Sequence, residues 1–209
     1  MPKNIIYLDS EWKIKDFSFS GINDNELSDI NPDNSWIDAK VPGDIHDDLL
    51  KAGKIKDPYY SDNSIGCGWV TEKDWCYYKT FRLPESLFKS KTSIVFEGID
   101  TYSTIWLNGK KIGNTDNMFR EFSFDVTDQI KKDEENTIVV RIKSIKQMMK
   151  EFPYQKYFAC FNTARIFVRK AQCHFGWDWA PDLPAVGIWQ GVKIIASDEG
   201  QIQDVFIQT

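Results

Sequence analysis

FEGIDTYSTIWLNGKKIG, residues 96–113, is the stretch on which the fold turns. Ile94 and Phe96, two residues apart, begin a strand, and Glu97-Gly98-Ile99-Asp100 leads into the next. In that second strand Ile105 and Leu107 keep the same spacing, and Asn108-Gly109 follows at once. Asn-Gly tolerates the positive φ that a two-residue hairpin turn demands, so Lys110 to Gly113 is expected to return alongside. Downstream, Phe122, Phe124 and Val126 alternate, and so do Ile138, Val140 and Ile142. Upstream, Trp75, Tyr77, Phe81 and Leu83 alternate, interrupted only by Lys79. Many short alternating strands separated by turns predict an all-β fold, a sandwich of two antiparallel sheets.

The flanking segments fit that frame. Residues 11–19 read as a first strand with Trp12 and Ile14 on one face and Phe17 and Phe19 on the other, which asks for a bulge or bend near Asp16. Residues 20–35, rich in Asn, Asp and Ser, read as a loop. After Val41-Pro42-Gly43 a short helix is expected near residues 44–52. Asp44 is its N-cap, Asp47 and Asp48 lie in the acidic first turn, and Lys51 and Gly53 close it. Ile45 and Leu49 then face the core and His46 the helix surface. Residues 144–164 lack strand alternation and read as an irregular excursion with a helical turn at 145–151. Such an insertion either walls a pocket or covers a sheet edge. VKIIAS, from Val192, is the last strand, and Asp198-Glu199-Gly200-Gln201 is a linker.

Composition narrows the function. The 209 residues carry a net charge of −5 and 14% aromatics, with no basic stripe, so nucleic acid is not an expected partner. No apolar run reaches the roughly 20 residues of a membrane helix, so no membrane partner is expected. The N-terminus lacks an apolar segment followed by a cleavage site, which places the protein in the cytoplasm if Met1 is its natural start. Cys67, Cys76, Cys160 and Cys173 have no C-x-x-C spacing and read as reduced, packing thiols. Neither a metal nor a cofactor is expected: glycine-rich phosphate loops and H-E-x-x-H are absent.

Chemistry concentrates in RIFVRKAQCHFGWDWAPDLPAVGIWQGV, residues 165–192, where Trp177, Trp179 and Trp189 crowd together. A carboxylate between two indoles suits a sugar: pyranose C–H faces lie on the rings and hydroxyls donate to the carboxylate. Pro181 and Pro184 exclude a long central strand, so Trp177-Asp178-Trp179 is placed where a strand gives out into a loop. The alternative is structural, with both tryptophans filling the core and Asp178 forming a turn. Arg169 either supports Asp178 or is a surface charge. His174 and Asp178 lack an accompanying nucleophile motif, and Cys173 and His174, as neighbours, would point to opposite faces of a strand.

RKAQCHFGWDWAP with GIWQGV, and VPGDIHDDLL with the following DP and aromatic residues, resemble β-mannosidases of glycoside hydrolase family 2. FEGIDTYSTIWLNGKKIG followed by FSFDVTDQI resembles the sugar-binding domain found throughout that family. The resemblance implies a galactose-binding-domain-like jelly roll over residues 1–197. It also implies that residues 198–209 are a linker and the first strand of an immunoglobulin-like domain, with Ile202, Val205 and Ile207 in alternation. The two catalytic glutamates of such an enzyme sit on a TIM barrel absent from these residues, so no residue here is expected to be catalytic. By the same resemblance Asp178 binds sugar hydroxyls and Trp177 and Trp179 form walls of the pocket, although Ala180 stands where the family commonly has glycine. The implied partners are a terminal non-reducing β-D-mannose residue and the barrel and immunoglobulin-like domains of the same polypeptide. Two other functions stay open: a free-standing carbohydrate-binding module, and a domain of another family 2 enzyme such as a β-galactosidase or β-glucuronidase.

Overall fold

The computed structural model describes residues 4–198 and 205–208. Its first strands in chain order are β1 (Ile5–Tyr7), β2 (Trp12–Phe17), β3 (Ile37–Ala39), β4 (Asp74–Arg82), β5 (Lys91–Phe96) and β6 (Tyr102–Leu107). There follow β7 (Lys110–Asp116), β8 (Phe122–Asp125), β9 (Glu135–Ile142), β10 (Phe175–Trp177), β11 (Ala180–Asp182) and β12 (Val192–Ser197). Among the described residues three short α-helices interrupt them: α1 (Asp24–Ser28), α2 (Ile45–Lys51) and α3 (Ile145–Met149). One sheet has the order β1-β12-β5-β8 and the other β3-β2-β4-β9-β6-β7, with every pairing antiparallel. The chain is the all-β sandwich that the alternating pattern predicts.

The core lies between the sheets. Trp12 and Ile14 of β2, Trp75 and Tyr77 of β4, Ile105 and Leu107 of β6, and Ile138, Val140 and Ile142 of β9 face Ile94, Phe96, Val192 and Ile194. Ile45 and Leu49 add one face of α2, whose N-cap is Asp44 as expected. Lys79 interrupts the β4 pattern because it too is buried: its ammonium donates to the Ser10 carbonyl at 2.6 Å. Asn108 and Gly109 form the hairpin turn with φ of 51° and 78°. The Asn108 amide also donates to Gln129 O and Asn136 Oδ1 and accepts from Thr137 N, so this turn is tied to β9 as well as to its own strands.

Three expectations are corrected. The pairing of β2 with β4 runs without a break from Lys13 opposite Tyr78 to Phe17 opposite Asp74, so no bulge occurs near Asp16. Phe17 differs in parity from Trp12 and simply belongs to the outer face, where it joins Leu27, Trp36, Cys76, Trp106 and Val139. Residues 20–35 are not only a loop: α1 lies within them, with Asn23 and Glu26 in a reciprocal capping box, and contributes Leu27 to that outer cluster. His46 is 5% exposed rather than on the helix surface, and its Nδ1 lies 2.8 Å from Asp44 Oδ1.

The 144–164 excursion starts on a buried polar anchor. Asp74 accepts from the Arg141 guanidinium at 2.5 and 3.0 Å and from Ser144 N at 2.8 Å, while Ser144 caps α3. Of the expected linker and terminal strand, residues 199–204 and 209 lie outside those described; Val205 to Ile207 are exposed and belong to no strand.

Candidate functional site

The approach to the Trp-Asp-Trp segment is built from short, locally capped turns. Asn162 Oδ1 accepts from Ala164 N at 3.0 Å and opens a 3₁₀ turn over Thr163–Phe167. Arg165 follows in that turn, and Gln172 clamps it: Arg165 Nη1 donates to Gln172 O, while Gln172 Nε2 donates to Arg165 O, both at 3.0 Å. Lys170 is then driven inward. Its side chain has no exposed surface, and its ammonium donates to the Asp100 carboxylate and to Ala185 O. Burial lowers the Lys170 pKa, and the Asp100 charge and hydrogen bond oppose that fall. Asp100 also bridges to Gly187 through the backbone, so one carboxylate position holds both limbs of the segment against the sandwich.

Beyond this anchor β10 and β11 form a two-stranded hairpin, with Phe175 opposite Asp182 and Trp177 opposite Ala180. Asp178 and Trp179 are the two turn residues. The hairpin is rooted by Phe175, buried with Ile145, Met149, Ala164 and Val168, and Leu183 N closes it on His174 O at 3.1 Å. Gly176 supplies a φ of +89°, which a residue with a Cβ adopts only under strain. Ala180 has no such φ, so its Cβ is accommodated where the resembled family has glycine.

The tip projects into solvent. Trp177 is 41% exposed, Trp179 is 70% exposed, and Asp178 is exposed between them, which removes the reading of these tryptophans as core. The Trp177 ring lies 4.9 Å from the Phe161 ring, and the Arg165 guanidinium lies 5.2 Å from the first centroid and 5.6 Å from the second. Beside them opens a cavity of about 550 Å³ whose lining includes Tyr154, Phe161, Asn162, Thr163, Trp177 and Asp182. The excursion and the hairpin therefore do wall one cavity. Trp189 is committed elsewhere, its Nε1 donating to Met118 O and its ring lying over Gly98.

Other candidates separate from the tip. Arg169 pairs on the surface with Asp116 at 2.7 Å. His174 sits in a 3₁₀ turn with its Nδ1 3.9 Å from Asp100 Oδ2, and burial, reinforced by the Lys170 charge, lowers its pKa and favours neutral imidazole. Among the described residues no group of three or more His, Cys, Asp or Glu is arranged to hold a metal ion, and no helix is long and apolar enough to cross a membrane. Sequence reasoning did not find the Phe161–Arg165–Trp177 stack or the Lys170–Asp100 pair. Their partners are distant in sequence or lie in irregular chain, and only the crowding of aromatic and basic residues in 152–170 signals them.

Comparison with known proteins agrees with the fold. Residues 17–190 match the model for the glycosyl hydrolase 2 galactose-binding domain-like family. A β-mannosidase of Capra hircus is 40% identical over 170 residues, 76% of this chain and 19% of its own length. A β-mannosidase B of Emericella nidulans is 36% identical over 176 residues, 81% of this chain and 21% of its own. The crystal structure of a β-D-mannosidase from Dictyoglomus thermophilum superposes with a TM-score of 0.84 at 39% identity, covering 97% of this chain and 24% of that one. The chain thus spans about a fifth to a quarter of the length of these relatives. With a family match over most of its length and the sandwich expected of it, the chain belongs to the glycosyl hydrolase 2 galactose-binding domain-like family.

Proposed function

We propose that this chain is the sugar-side domain of a retaining β-mannosidase, and that its Trp177-Asp178-Trp179 hairpin forms part of the pocket for a terminal non-reducing β-D-mannose residue. The observation that carries the reading is the hairpin tip itself: two indoles and a carboxylate stand exposed on a turn whose base is fixed in the core. Large exposed aromatics cost solvation, and a tip of this kind suits a surface that something else completes. The bond-breaking pair of carboxylates belongs to a barrel domain of the same polypeptide, and this domain acts through binding that favours the transition state. In this reading Asp178 accepts from sugar hydroxyls, Trp177 and Trp179 present π faces to the ring, and residues 198–209 lead into an immunoglobulin-like domain.

Kinetics of the full-length enzyme on an aryl β-D-mannoside test this. Asp178→Ala leaves substrate hydroxyls without their acceptor and should lower kcat/KM by about 100-fold or more. Asp178→Asn, which keeps one acceptor oxygen, should lose less. Full activity in Asp178→Ala would sink the proposal.

A further inference from the structure

Arg165 is 6% exposed, yet it has no anionic partner among the described residues. Arg141 pairs with Asp74 and Asp24, and Arg169 with Asp116; Arg165 makes no comparable ion pair. Among the described residues its guanidinium has one hydrogen bond, from Nη1 to Gln172 O, and its Nε–H is buried without an acceptor. A buried, uncompensated cation is costly, so its surroundings must recover that cost in another form. Here the partners are ring faces: Trp177 at 5.2 Å and Phe161 at 5.6 Å. The guanidinium cannot drift from them, because Gln172 holds both its Nη1 and the Arg165 carbonyl.

Trp177 needs such support. It sits in a three-residue strand opposite Ala180, a small neighbour. The ring contacts that orient its indole are Phe161 and Arg165. We infer that Arg165 is a positioning residue that fixes the exposed pose of the Trp177 indole, so that sugar stacks on a ring already in place. This rests on the reading that Trp177 lines the sugar pocket. An indole held in advance loses less rotamer freedom when a ligand arrives, so the contribution falls on substrate binding.

Two measurements test the inference. The first is the fluorine spectrum of the 209-residue chain labelled with fluorotryptophan at its eight tryptophans, the Trp177 resonance being assigned by its loss in Trp177→Phe. Arg165→Met keeps the stem and removes the charge; it should shift and broaden the Trp177 resonance and leave the others in place. Arg165→Lys, which keeps charge without the plane, should move it less. The second is kinetics in the full-length enzyme, where Arg165→Met should raise KM about tenfold with little change in kcat. It should add nothing in a Trp177→Ala background. An unmoved Trp177 resonance, or an equal loss in both backgrounds, overturns the inference. If Trp177→Ala raises KM and Arg165→Met does not, the inference fails and the sugar-pocket reading survives. If Trp177→Ala leaves KM unchanged, that reading fails and the fluorine spectrum alone decides whether Arg165 positions the indole. Should Arg165→Met disturb all the resonances, Arg165→Lys decides on the same criteria.

Discussion

Asp48 and Lys170 are both buried ionisable residues, and the difference between them is the partner. Lys170 has Asp100 opposite its ammonium, so charge meets charge in the interior. Asp48 is 2% exposed and receives only Lys40 N at 3.1 Å on Oδ1, with Lys51 Nζ 4.0 Å away, while Oδ2 has no partner. Burial therefore pushes its carboxyl from 3.8 up to about 6, and the charges of Asp44 and Asp47 add to the rise. An acid whose pKa is raised by folding holds its proton more tightly in the folded state. Its contribution to stability is complete below pH 3.8 and is lost as pH rises through about 6. Asp48→Asn keeps the Oδ1 acceptor and abolishes the titration. In urea unfolding the variant should match the parent chain near pH 4 and exceed it by up to about 3 kcal/mol above pH 7. A difference between the two proteins that does not change with pH would refute the assignment.

At the scale of elements, legibility followed periodicity. The strands carrying Trp75, Ile94, Ile105, Phe122 and Ile138, and the Asn108-Gly109 turn, were readable because one face of each is core and the spacing of two is strict. The helix α2 was readable from its cap and acidic first turn. The short α1 was not read, because a single capping box in a polar run is a weak signal until Leu27 is seen to close the outer face of a sheet buried on both sides. His46 was misplaced for a related reason: helix periodicity cannot anticipate the Asp44 side chain folding over its own helix start. The Trp-Asp-Trp tip was located by its prolines, but its anchor depends on Gly187, which nothing local marks. Gly187 has a φ of +157°, and a Cβ there would meet Gly43 O at 2.7 Å and Tyr77 Oη at 3.0 Å. Gly187→Ala should cost about 2–4 kcal/mol through strain and overpacking. A urea midpoint that stays put, with an unchanged slope, would show that the two limbs of the hairpin segment are not held by this close backbone approach.

Over the whole molecule, apolar surface is distributed unevenly. The sandwich buries one continuous core between its sheets and covers the outer face of the larger sheet with α1 and Trp36. Tyr157, Phe158, Phe161, Trp177 and Trp179, by contrast, remain exposed along the excursion and the hairpin. A sugar pocket needs enclosure, since stacking and hydroxyl recognition gain strength only where water is excluded from most of the ligand surface. The cavity beside Trp177, about 550 Å³, is lined by the excursion and the hairpin among the described residues, and Trp179 is 70% exposed. If a barrel domain completes the enclosure, the 209-residue chain should give no measurable heat with mannose or mannobiose at millimolar concentration, although it is folded. The full-length enzyme should bind the same sugars and lose that binding with Asp178→Ala. The competing view of a free-standing carbohydrate-binding module expects the opposite: heat from the isolated chain that disappears with Asp178→Ala. Calorimetric titration of the isolated chain therefore separates a pocket shared between domains from one complete in itself, and a saturable signal abolished by Asp178→Ala would move the assignment to the binding module.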